Sequence, residues 1–172
     1  MVTEPSLEIN EIWRILGTVN DPEVPVLTIL DLGIVRDVLL NGTAGTDKQL
    51  EVIITPTYSG CPAMDAISID IKLKLIEAGY KNVKVTSILS PAWTTDWMSE
   101  TGKEKLRAYG IAPPNAKQQV CNNDLFAPNE AVQCPNCNSY LTHRVSEFGS
   151  TACKALYQCN DCKEPFDYFK CH

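Results

Sequence analysis

The sequence of 172 residues lacks several features on which whole classes of function depend. No run approaches the roughly 20 apolar residues that a membrane-spanning helix needs, so we expect no membrane span. Only two histidines are present, and the chain has neither a glycine-rich phosphate loop nor a Glu-x-x-His pair. These absences argue against a Ser-His-Asp hydrolase, a nucleotide-binding enzyme and a di-iron protein. We therefore expect a protein that is not itself an enzyme.

Basic charge is also scarce. The net charge is −6, most of the acidic surplus lies within residues 1–110, and residues 134–172 are balanced. Contacts to nucleic-acid phosphates need a basic surface, so we expect no nucleic-acid partner. The first residues, MVTEPSLEIN, carry neither the basic nor the apolar segment of a signal peptide, which predicts a cytoplasmic location. In a reducing cytosol the eight cysteines are better explained as metal ligands or reactive thiols than as disulfides.

The pattern of apolar residues predicts an α+β fold in two units. Residues 1–110 are predicted to form a small mixed domain of about three strands with packed helices. Residues 111–131 are rich in Pro, Asn, Gln and Ala, which is typical of a linker. Residues 132–172 are predicted to form a C-terminal β domain of the zinc-ribbon type, with strands at SYLTHRV, KALYQ and FDYFKCH.

One helix and three strands follow from the periodicity of the first unit. Residues 7–19 have the one-sided apolar spacing of an amphipathic helix that ends near Gly17. The predicted strands are GIVRDVLL, LEVIITP and NVKVTSIL, and the first two are joined by a hairpin loop with an Asn-Gly pair. The segment DPEVPVLTILDLG contains two prolines, so we expect an ordered loop there.

Residues 62–79 carry conflicting signals. The stretch ISIDIKLKL alternates apolar and polar residues strictly, as a half-buried strand does. The length of the run, Pro62 at its start and Gly79 at its end favour a helix instead. We predict a helix that packs on two sides. Its two apolar stripes consist of Ile67, Ile71 and Leu75 and of Ile69, Leu73 and Ile76.

A second amphipathic helix is predicted to begin near Thr94 or Thr95. Trp93 and Trp97 are four residues apart, and on a helix they would share one face. We favour packing of this face onto the sheet over its exposure as an anchor for a partner.

Four cysteines form the strongest motif in the chain. CPNC (134–137) and CNDC (159–162) are separated by 21 residues, one more than the usual zinc-ribbon spacing. Each pair can hold a tetrahedral ion from one turn, and four thiolates leave no open coordination position, which predicts a structural zinc. An iron–sulfur cluster on the same thiolates is the alternative, since cysteine ligation alone does not separate the two. The predicted ligands are Cys134, Cys137, Cys159 and Cys162.

Three further cysteines have weaker explanations. Cys121 lies in the predicted linker and needs no role. Cys153 and Cys171 flank the second pair, where packing of a small apolar side chain is the simpler explanation. The alternative is a second labile metal or cluster site, which these two would form with each other or with His143 or His172.

The eighth cysteine, Cys61, lies in TPTYSGCPAMD (55–65), between a predicted strand and a predicted helix. At a helix N-cap, unpaired N–H groups and the helix dipole favour negative charge, which predicts a lowered thiol pKa and a thiolate able to bind metal. A buried, inert cysteine is the alternative. The carboxylates of Asp21, Glu23 and Asp31 could join the thiol in a mixed sulfur and oxygen site for iron. Asp21 and Asp31 could instead simply cap turns.

These segments together resemble a known family. DPEVPVLTILDLGIV, the turn TPTYSGCP and the distal PAW are similar to the small domain of SufT-like metal–sulfur cluster maturation factors. With GIAPP and the C-terminal FGSTACKALYQCNDCKEPFDYFKCH, nearly the whole chain resembles the PaaD (PaaJ) family of the phenylacetyl-CoA epoxidase system. The ribbon distinguishes this family from its single-domain relatives.

The resemblance implies an accessory subunit in aerobic phenylacetate catabolism. In that system a di-iron monooxygenase epoxidises the ring of phenylacetyl-CoA, and a separate reductase carries flavin and a [2Fe–2S] cluster. The implied role is a maturation factor that assembles or delivers an iron–sulfur cluster or iron to the reductase or oxygenase. The alternative is a structural or regulatory subunit that binds the oxygenase complex without metal transfer. The oligomeric state is not predicted.

The resemblance also implies a set of site residues, carried over by motif position. Besides the four ribbon cysteines, these residues would form a labile site for a transient iron ion or iron–sulfur cluster. They are Cys61, Asp21, Glu23, Asp31 and Thr55.

Overall fold

A computed structural model of the protein describes residues 5–41, 49–114 and 132–170. The chain divides into two compact units, Met1–Trp93 and Thr94–His172. The helices are α1 Pro5–Leu16, α2 Ala63–Glu77 and α3 Glu100–Ala108, and the strands are β1 Val35–Asn41, β2 Gln49–Ile54, β3 Asn82–Ser87, β4 Ile111–Ala112, β5 Thr142–Ser146, β6 Lys154–Cys159 and β7 Pro165–Phe169. The predicted α+β class is confirmed. No helix in these three ranges is long and apolar enough to cross a membrane.

The first unit contains a three-stranded sheet in the order β1, β2, β3. β1 and β2 are antiparallel, and their predicted hairpin loop lies outside the described residues beyond Asn41. β2 and β3 are parallel and are connected through α2. The loop between β2 and α2 therefore follows the carboxyl end of a parallel strand, where folds with parallel sheets commonly bind ligands.

Helix α2 shows that the proline and glycine signals outweigh the strand-like alternation. Pro62 is the N-cap residue, and Gly79 follows the last turn with a φ of 101°. The N–H of Tyr80 donates to the carbonyl of Leu75 at 3.0 Å. This arrangement satisfies carbonyls of the last turn through a residue in the left-handed conformation, which glycine adopts without strain.

The prediction that α2 packs on two sides is wrong. One apolar stripe is buried against the rest of the first unit, whereas the other is more than half exposed. A two-residue period distributes apolar side chains around a helix, but only one side of α2 faces a core. The buried residues are Ile67, Ile71 and Leu75, and the exposed ones are Ile69 at 59%, Leu73 at 53% and Ile76 at 52%.

Helix α3 begins later than predicted. Its N-cap is Ser99, whose hydroxyl oxygen accepts the N–H of Gly102 at 2.9 Å. The helix consequently starts at Glu100 and not near Thr94 or Thr95. A serine at this position satisfies one of the free N–H groups of the first turn, which is why the helix begins there.

Trp93 and Trp97 do not share a helix face, contrary to the prediction. Trp93 precedes the short 3-10 helix Thr95–Trp97, and both precede α3. The indole N–H of Trp93 donates to the carbonyl of Leu32 at 2.9 Å, and its ring is buried in the first unit. Packing is thus confirmed for Trp93, whereas Trp97 is half-buried.

The second unit contains a four-stranded sheet in the order β4, β7, β6, β5. β5, β6 and β7 form an antiparallel meander that confirms the three predicted ribbon strands. β4 pairs in parallel with β7, so residues 111 and 112 belong to the sheet rather than to an irregular linker. Helix α3 contacts β4 and therefore belongs to the second compact unit, which begins at Thr94. The boundary predicted from the sequence lies later, at residue 110.

Candidate metal centre and thiol site

The four ribbon cysteines converge on one point. Cys134 and Cys137 lie in the turn before β5, Cys159 is the last residue of β6, and Cys162 lies in the turn that follows it. All four sulfur atoms lie within 4.8 Å of one another, with 3.7 Å between Cys134 and Cys162 and 3.5 Å between Cys137 and Cys159. A tetrahedral site with zinc–sulfur bonds of about 2.3 Å has sulfur atoms about 3.8 Å apart. The spacing therefore fits one ion, since a cluster would place inorganic sulfide and several iron atoms between the thiolates.

The two Cys-x2-Cys turns have the same backbone geometry. The carbonyl of Cys134 accepts the N–H of Asn138 at 2.9 Å, and the carbonyl of Cys159 accepts the N–H of Lys163 at 3.1 Å. Asn138 and Lys163 have φ values of 62° and 68°, in the left-handed region that few residues adopt. Each turn thus folds back on itself and presents both of its sulfur atoms to the same point.

Backbone N–H groups also point at the sulfur atoms. Ser139 donates to Cys137, and Glu164 donates to Cys162, two residues on in each case. Burial raises the pKa of Cys159, but backbone and thiol hydrogen bonds lower it by more, to about 7. At Cys162 the Glu164 N–H lowers the pKa, yet burial and the neighbouring thiols raise it to about 12. Four thiols this close cannot all ionise unless a cation lies among them.

A small aromatic core lies beside this group. Tyr157 stacks on Phe166 with ring centres 5.9 Å apart, and Tyr168 meets Tyr157 edge-on at 5.5 Å. The side chains of Cys134 and Cys159 are fully buried in the same core. A core of this size contributes little folding free energy by itself, so an ion bound by the four thiolates would add substantially to the stability of the ribbon.

Cys153 is not part of the metal-binding group. It directly precedes β6, at the end of the strand opposite Cys159, and it is buried. Its sulfur lies 3.1 Å from the hydroxyl oxygen of Thr151, within hydrogen-bonding distance. The simpler explanation from the sequence, a packed small side chain, agrees with this position.

The residues proposed to join Cys153 in a second site give no support to it. The Nδ1 atom of His143 lies 3.0 Å from the side-chain oxygen of Asn160. Cys171 and His172 lie outside the described residues, as does Cys121. In residues 5–41, 49–114 and 132–170, the ribbon cysteines are the one group of three or more His, Cys, Asp or Glu side chains whose ligand atoms all lie within 4.8 Å of one another.

Cys61 lies in the loop between β2 and α2 and is partly exposed. Because Pro62 is the N-cap of α2, Cys61 lies one residue before the position predicted for it. Its sulfur nevertheless accepts a hydrogen bond from the N–H of Ala63 and another from the side chain of Tyr58. Tyr58 was not predicted as a hydrogen-bond partner of the thiol, although it lies only three residues before the cysteine in TPTYSGCP.

The thiol pKa of Cys61 is raised, not lowered as predicted. Burial is the largest cause, the hydrogen bonds from Ala63 and Tyr58 oppose it, and the carboxylates of Glu23 and Asp21 raise the pKa further. The N–H group at the helix start does not compensate for partial desolvation and two negative charges. The same two charges that disfavour a thiolate alone would stabilise a cation bound to it.

A tight turn holds Asp21 and Glu23 within electrostatic range of the thiol. The Oδ1 atom of Asp21 accepts the N–H of Glu23 at 2.8 Å and that of Val24 at 2.7 Å. Asp21 therefore caps the turn DPEV, which the sequence had left open as one of its two roles. The turn and the β2 to α2 loop together bring two carboxylates and one thiol into the same region.

Asp31 and Thr55 are buried but are not among the groups that act on the Cys61 thiol. The Oδ2 atom of Asp31 accepts the N–H and the hydroxyl of Thr28 at 3.0 and 2.9 Å, which caps a turn. The hydroxyl of Thr55, in contrast, has no hydrogen-bond partner in the described part of the chain. A buried polar group without a partner costs about 1–3 kcal/mol. The five-residue labile site stays a prediction.

The raised pKa predicts slow alkylation of Cys61 near neutral pH. The rate should still be increasing with pH above the ordinary pKa of a cysteine thiol, because only the thiolate reacts. Glu23→Gln should accelerate the reaction at a fixed pH, since it removes one of the charges that raise the pKa. Residue-resolved mass spectrometry after iodoacetamide treatment measures both effects. The matched control is Glu77→Gln at the far end of α2, and a rate that is flat between pH 7 and 9 would contradict the raised pKa.

Comparison with known proteins gives matches to both units. A family profile described as "PaaD zinc beta ribbon domain" matches residues 118–170, and one described as "Iron-sulfur cluster assembly protein" matches residues 9–87. A protein of Escherichia coli (strain K12), named as the D component of a 1,2-phenylacetyl-CoA epoxidase, is 49% identical over 164 residues. The match covers 95% of this chain and 93% of that protein. The chain belongs to the PaaD family.

Two further matches each cover a little more than half of this PaaD-family chain. A "Fe-S protein maturation auxiliary factor" of Porphyromonas gingivalis (strain ATCC BAA-308 / W83) is 40% identical over 91 residues, which are 52% of this chain and 82% of the relative. A crystal structure of a "Domain of Unknown Function DUF59 from Bacillus anthracis" is 30% identical, covers 56% of this chain and 89% of its own, and has a TM-score of 0.49. The resemblance predicted from the sequence is confirmed by the match along nearly the whole chain.

Proposed function

We propose that this PaaD-family protein is a non-catalytic, cytoplasmic maturation factor of a phenylacetyl-CoA epoxidase system. In this proposal it assembles or delivers an iron–sulfur cluster or iron to the reductase or oxygenase component. The name of the Escherichia coli relative supports the system, and the Porphyromonas gingivalis relative supports the maturation role. The observation that carries the proposal is the partly exposed thiol of Cys61 near Asp21 and Glu23, inside the segment matched to iron–sulfur cluster assembly proteins.

The chemistry of this region suits a cargo that is held briefly. A thiolate with carboxylates is a donor set that iron accepts. Binding would release the thiol proton, and the raised pKa of Cys61 means that the sulfur readily takes a proton back when the cargo leaves. The hydroxyl of Thr55, which has no hydrogen-bond partner in the described residues, offers a further oxygen ligand at the start of the loop between β2 and α2. Partial exposure of the sulfur gives a client protein access to the cargo.

We propose that the ribbon holds zinc in a structural role. The sulfur spacing supports a single tetrahedral ion, and the matched family is described as a zinc ribbon. Cys134, Cys137, Cys159 and Cys162 would be its ligands. With all four positions occupied by thiolates, the ion has no open position for a substrate and serves to stabilise the fold.

Replacing the thiol of Cys61 tests the maturation role. In cells that express the epoxidase components, Cys61→Ser should lower the iron content of the reductase or oxygenase by about tenfold or more. Residues that only support a metal ligand already cost about 10–100-fold in metal affinity or activity when they are lost, and loss of the ligand itself should cost at least as much. Iron analysis of the purified components gives the measurement. Cys153→Ala is the matched control, since that thiol is buried in the ribbon away from the metal-binding group. Fully loaded components in Cys61→Ser cells would overturn the proposal.

A second candidate function is a structural or regulatory subunit that binds the oxygenase without metal transfer. It is favoured by apolar side chains exposed along the edge strand β5 and its ends: Tyr140 at 59%, Leu141 at 62%, Val145 at 53% and Phe148 at 64%. This function predicts co-purification with the oxygenase that survives Cys61→Ser. It also predicts that Leu141→Asp combined with Val145→Asp abolishes the complex.

A further inference from the structure

The exposed side of α2 carries an ordered row of apolar residues. The row consists of Ala66, Ile69, Leu73 and Ile76, and we call these four residues the α2 stripe. They are separated by three, four and three positions, which is the a/d spacing of a heptad repeat. Exposed helix sides are normally polar, so large aliphatic residues at this spacing are the pattern of a helix seam and not of a solvent-facing surface.

The charges beside the α2 stripe select the partner. In heptad terms, the positions that flank the seam are occupied by Asp65, Asp70, Lys72 and Glu77, three carboxylates and one amine. Asp70 is 3.8 Å from Lys74 of the same helix, which is a weak ion pair. A helix that packs on the stripe would place its own flanking residues against this acidic border, so its flanks should carry lysine or arginine.

A second copy of this chain does not meet that requirement. In an antiparallel pair that matches Ile69 with Leu73 of the other copy, Asp70 would face Asp70 and Lys72 would face Lys72. In a parallel pair, Asp65 would face Asp70, a like-charge contact, while Lys72 would face Glu77, so repulsion and attraction offset each other. Neither pairing of two copies gains net attraction from its flanks, whereas a basic helix would be attracted along most of the border.

We propose that the α2 stripe docks an amphipathic helix of the protein that receives the cargo of Cys61. The docked helix has apolar residues three and four positions apart and basic residues on its flanks. Continuity with the thiol supports this partner, because α2 begins two residues after Cys61 and Ala66 lies three residues, about 4.5 Å, along that helix. Ala66, the smallest member, lets the partner approach most closely at the end nearest the thiol. The identity of the partner as cargo acceptor rests on the proposed function, whereas the surface rests on exposure and charge.

Two synthetic helices test the surface directly with the full-length protein. Both peptides carry leucine at a and d positions, one with lysine and the other with glutamate at e and g. The lysine peptide should bind about tenfold or more tightly than the glutamate peptide and should weaken with added salt, as measured by fluorescence anisotropy. Ile69→Asp and Leu73→Asp should each weaken binding of the lysine peptide about tenfold or more. Leu89→Asp, at a residue that is 65% exposed outside the stripe, is the matched control and should bind like the wild type.

Two results would overturn the docking surface. One is equal binding of the two peptides or unchanged binding by the stripe variants. The other is a concentration-dependent dimer that Ile69→Asp abolishes, which would show that a second copy covers the stripe.

An experiment in cells separates this proposal from the maturation role. Ile69→Asp should lower the iron loading of the client protein, while the variant itself keeps its iron. Cys61→Ser should lose iron but still bind the lysine peptide, and a peptide-binding protein that never carries iron would refute the maturation role alone.

Discussion

Removal of the metal is expected to unfold the ribbon strands β5 to β7 while the first sheet stays folded. The four sulfur atoms lie within 4.8 Å of one another, and the aromatic core beside them is small. Zinc binding at such sites contributes about 10–16 kcal/mol near neutral pH, which is comparable to the whole stability of an ordinary domain. Amide hydrogen exchange before and after chelation measures the effect strand by strand, and zinc readdition should restore protection.

Cysteine variants separate loss of the metal from other effects of the chelator. Cys159→Ser should reproduce the unfolding of the ribbon, because three thiolates and a hydroxyl hold zinc poorly. Cys153→Ala should keep both metal and protection and cost at most about 1–2 kcal/mol, since Cys153 is buried beside Thr151 and lies outside the group of four ribbon cysteines. Ribbon amides that remain protected in the chelated protein would show that the metal is not what stabilises this sheet.

Substitution of Ile71 by alanine is expected to destabilise the first unit far more than the same substitution at Leu73. Ile71 is fully buried, so truncation leaves a cavity and should lower the free energy of unfolding by about 2–5 kcal/mol. Leu73 is 53% exposed, and its truncation should change that free energy by no more than about 0.5 kcal/mol. Denaturant unfolding of the two variants, two residues apart on one helix, measures the difference.

This pair of variants also tests the exposed side of α2. A cost at Leu73 equal to that at Ile71 would mean that the α2 stripe is buried in the protein in solution. The description of α2 as a helix packed on one side would then be wrong. The proposal that the α2 stripe docks a partner helix would be refuted as well.

Elements that depend on residues close in the sequence could be predicted from local signals. Pro62 and Gly79 define the ends of α2 through their own backbone preferences, whatever packs on the helix. The Cys-x2-Cys turns are equally local, so the convergence of the four ribbon cysteines could be predicted from their spacing alone. The start of α3 was missed although Ser99 is a good N-cap, because Thr94 and Thr95, five and four residues earlier, offered a competing start.

Features that depend on tertiary neighbours could not be predicted. Which stripe of α2 is buried depends on where the sheet lies, and both stripes are equally apolar. The pKa of Cys61 depends on burial and on Glu23 and Asp21, some forty residues earlier, and these outweigh the helix start. The pairing of β4 with β7 joins residues more than fifty positions apart, so a two-residue strand was hidden within a linker-like composition.

Metal analysis of the protein purified without oxygen from iron-replete cells tests the central claim most directly. The wild type and Cys61→Ser should both contain about one zinc per chain, held by the ribbon. Iron should be present in addition in the wild type and absent from Cys61→Ser, because the thiol is the ligand on which the labile site depends. Equal iron contents in the two proteins would contradict the account of Cys61 as the residue that holds the cargo.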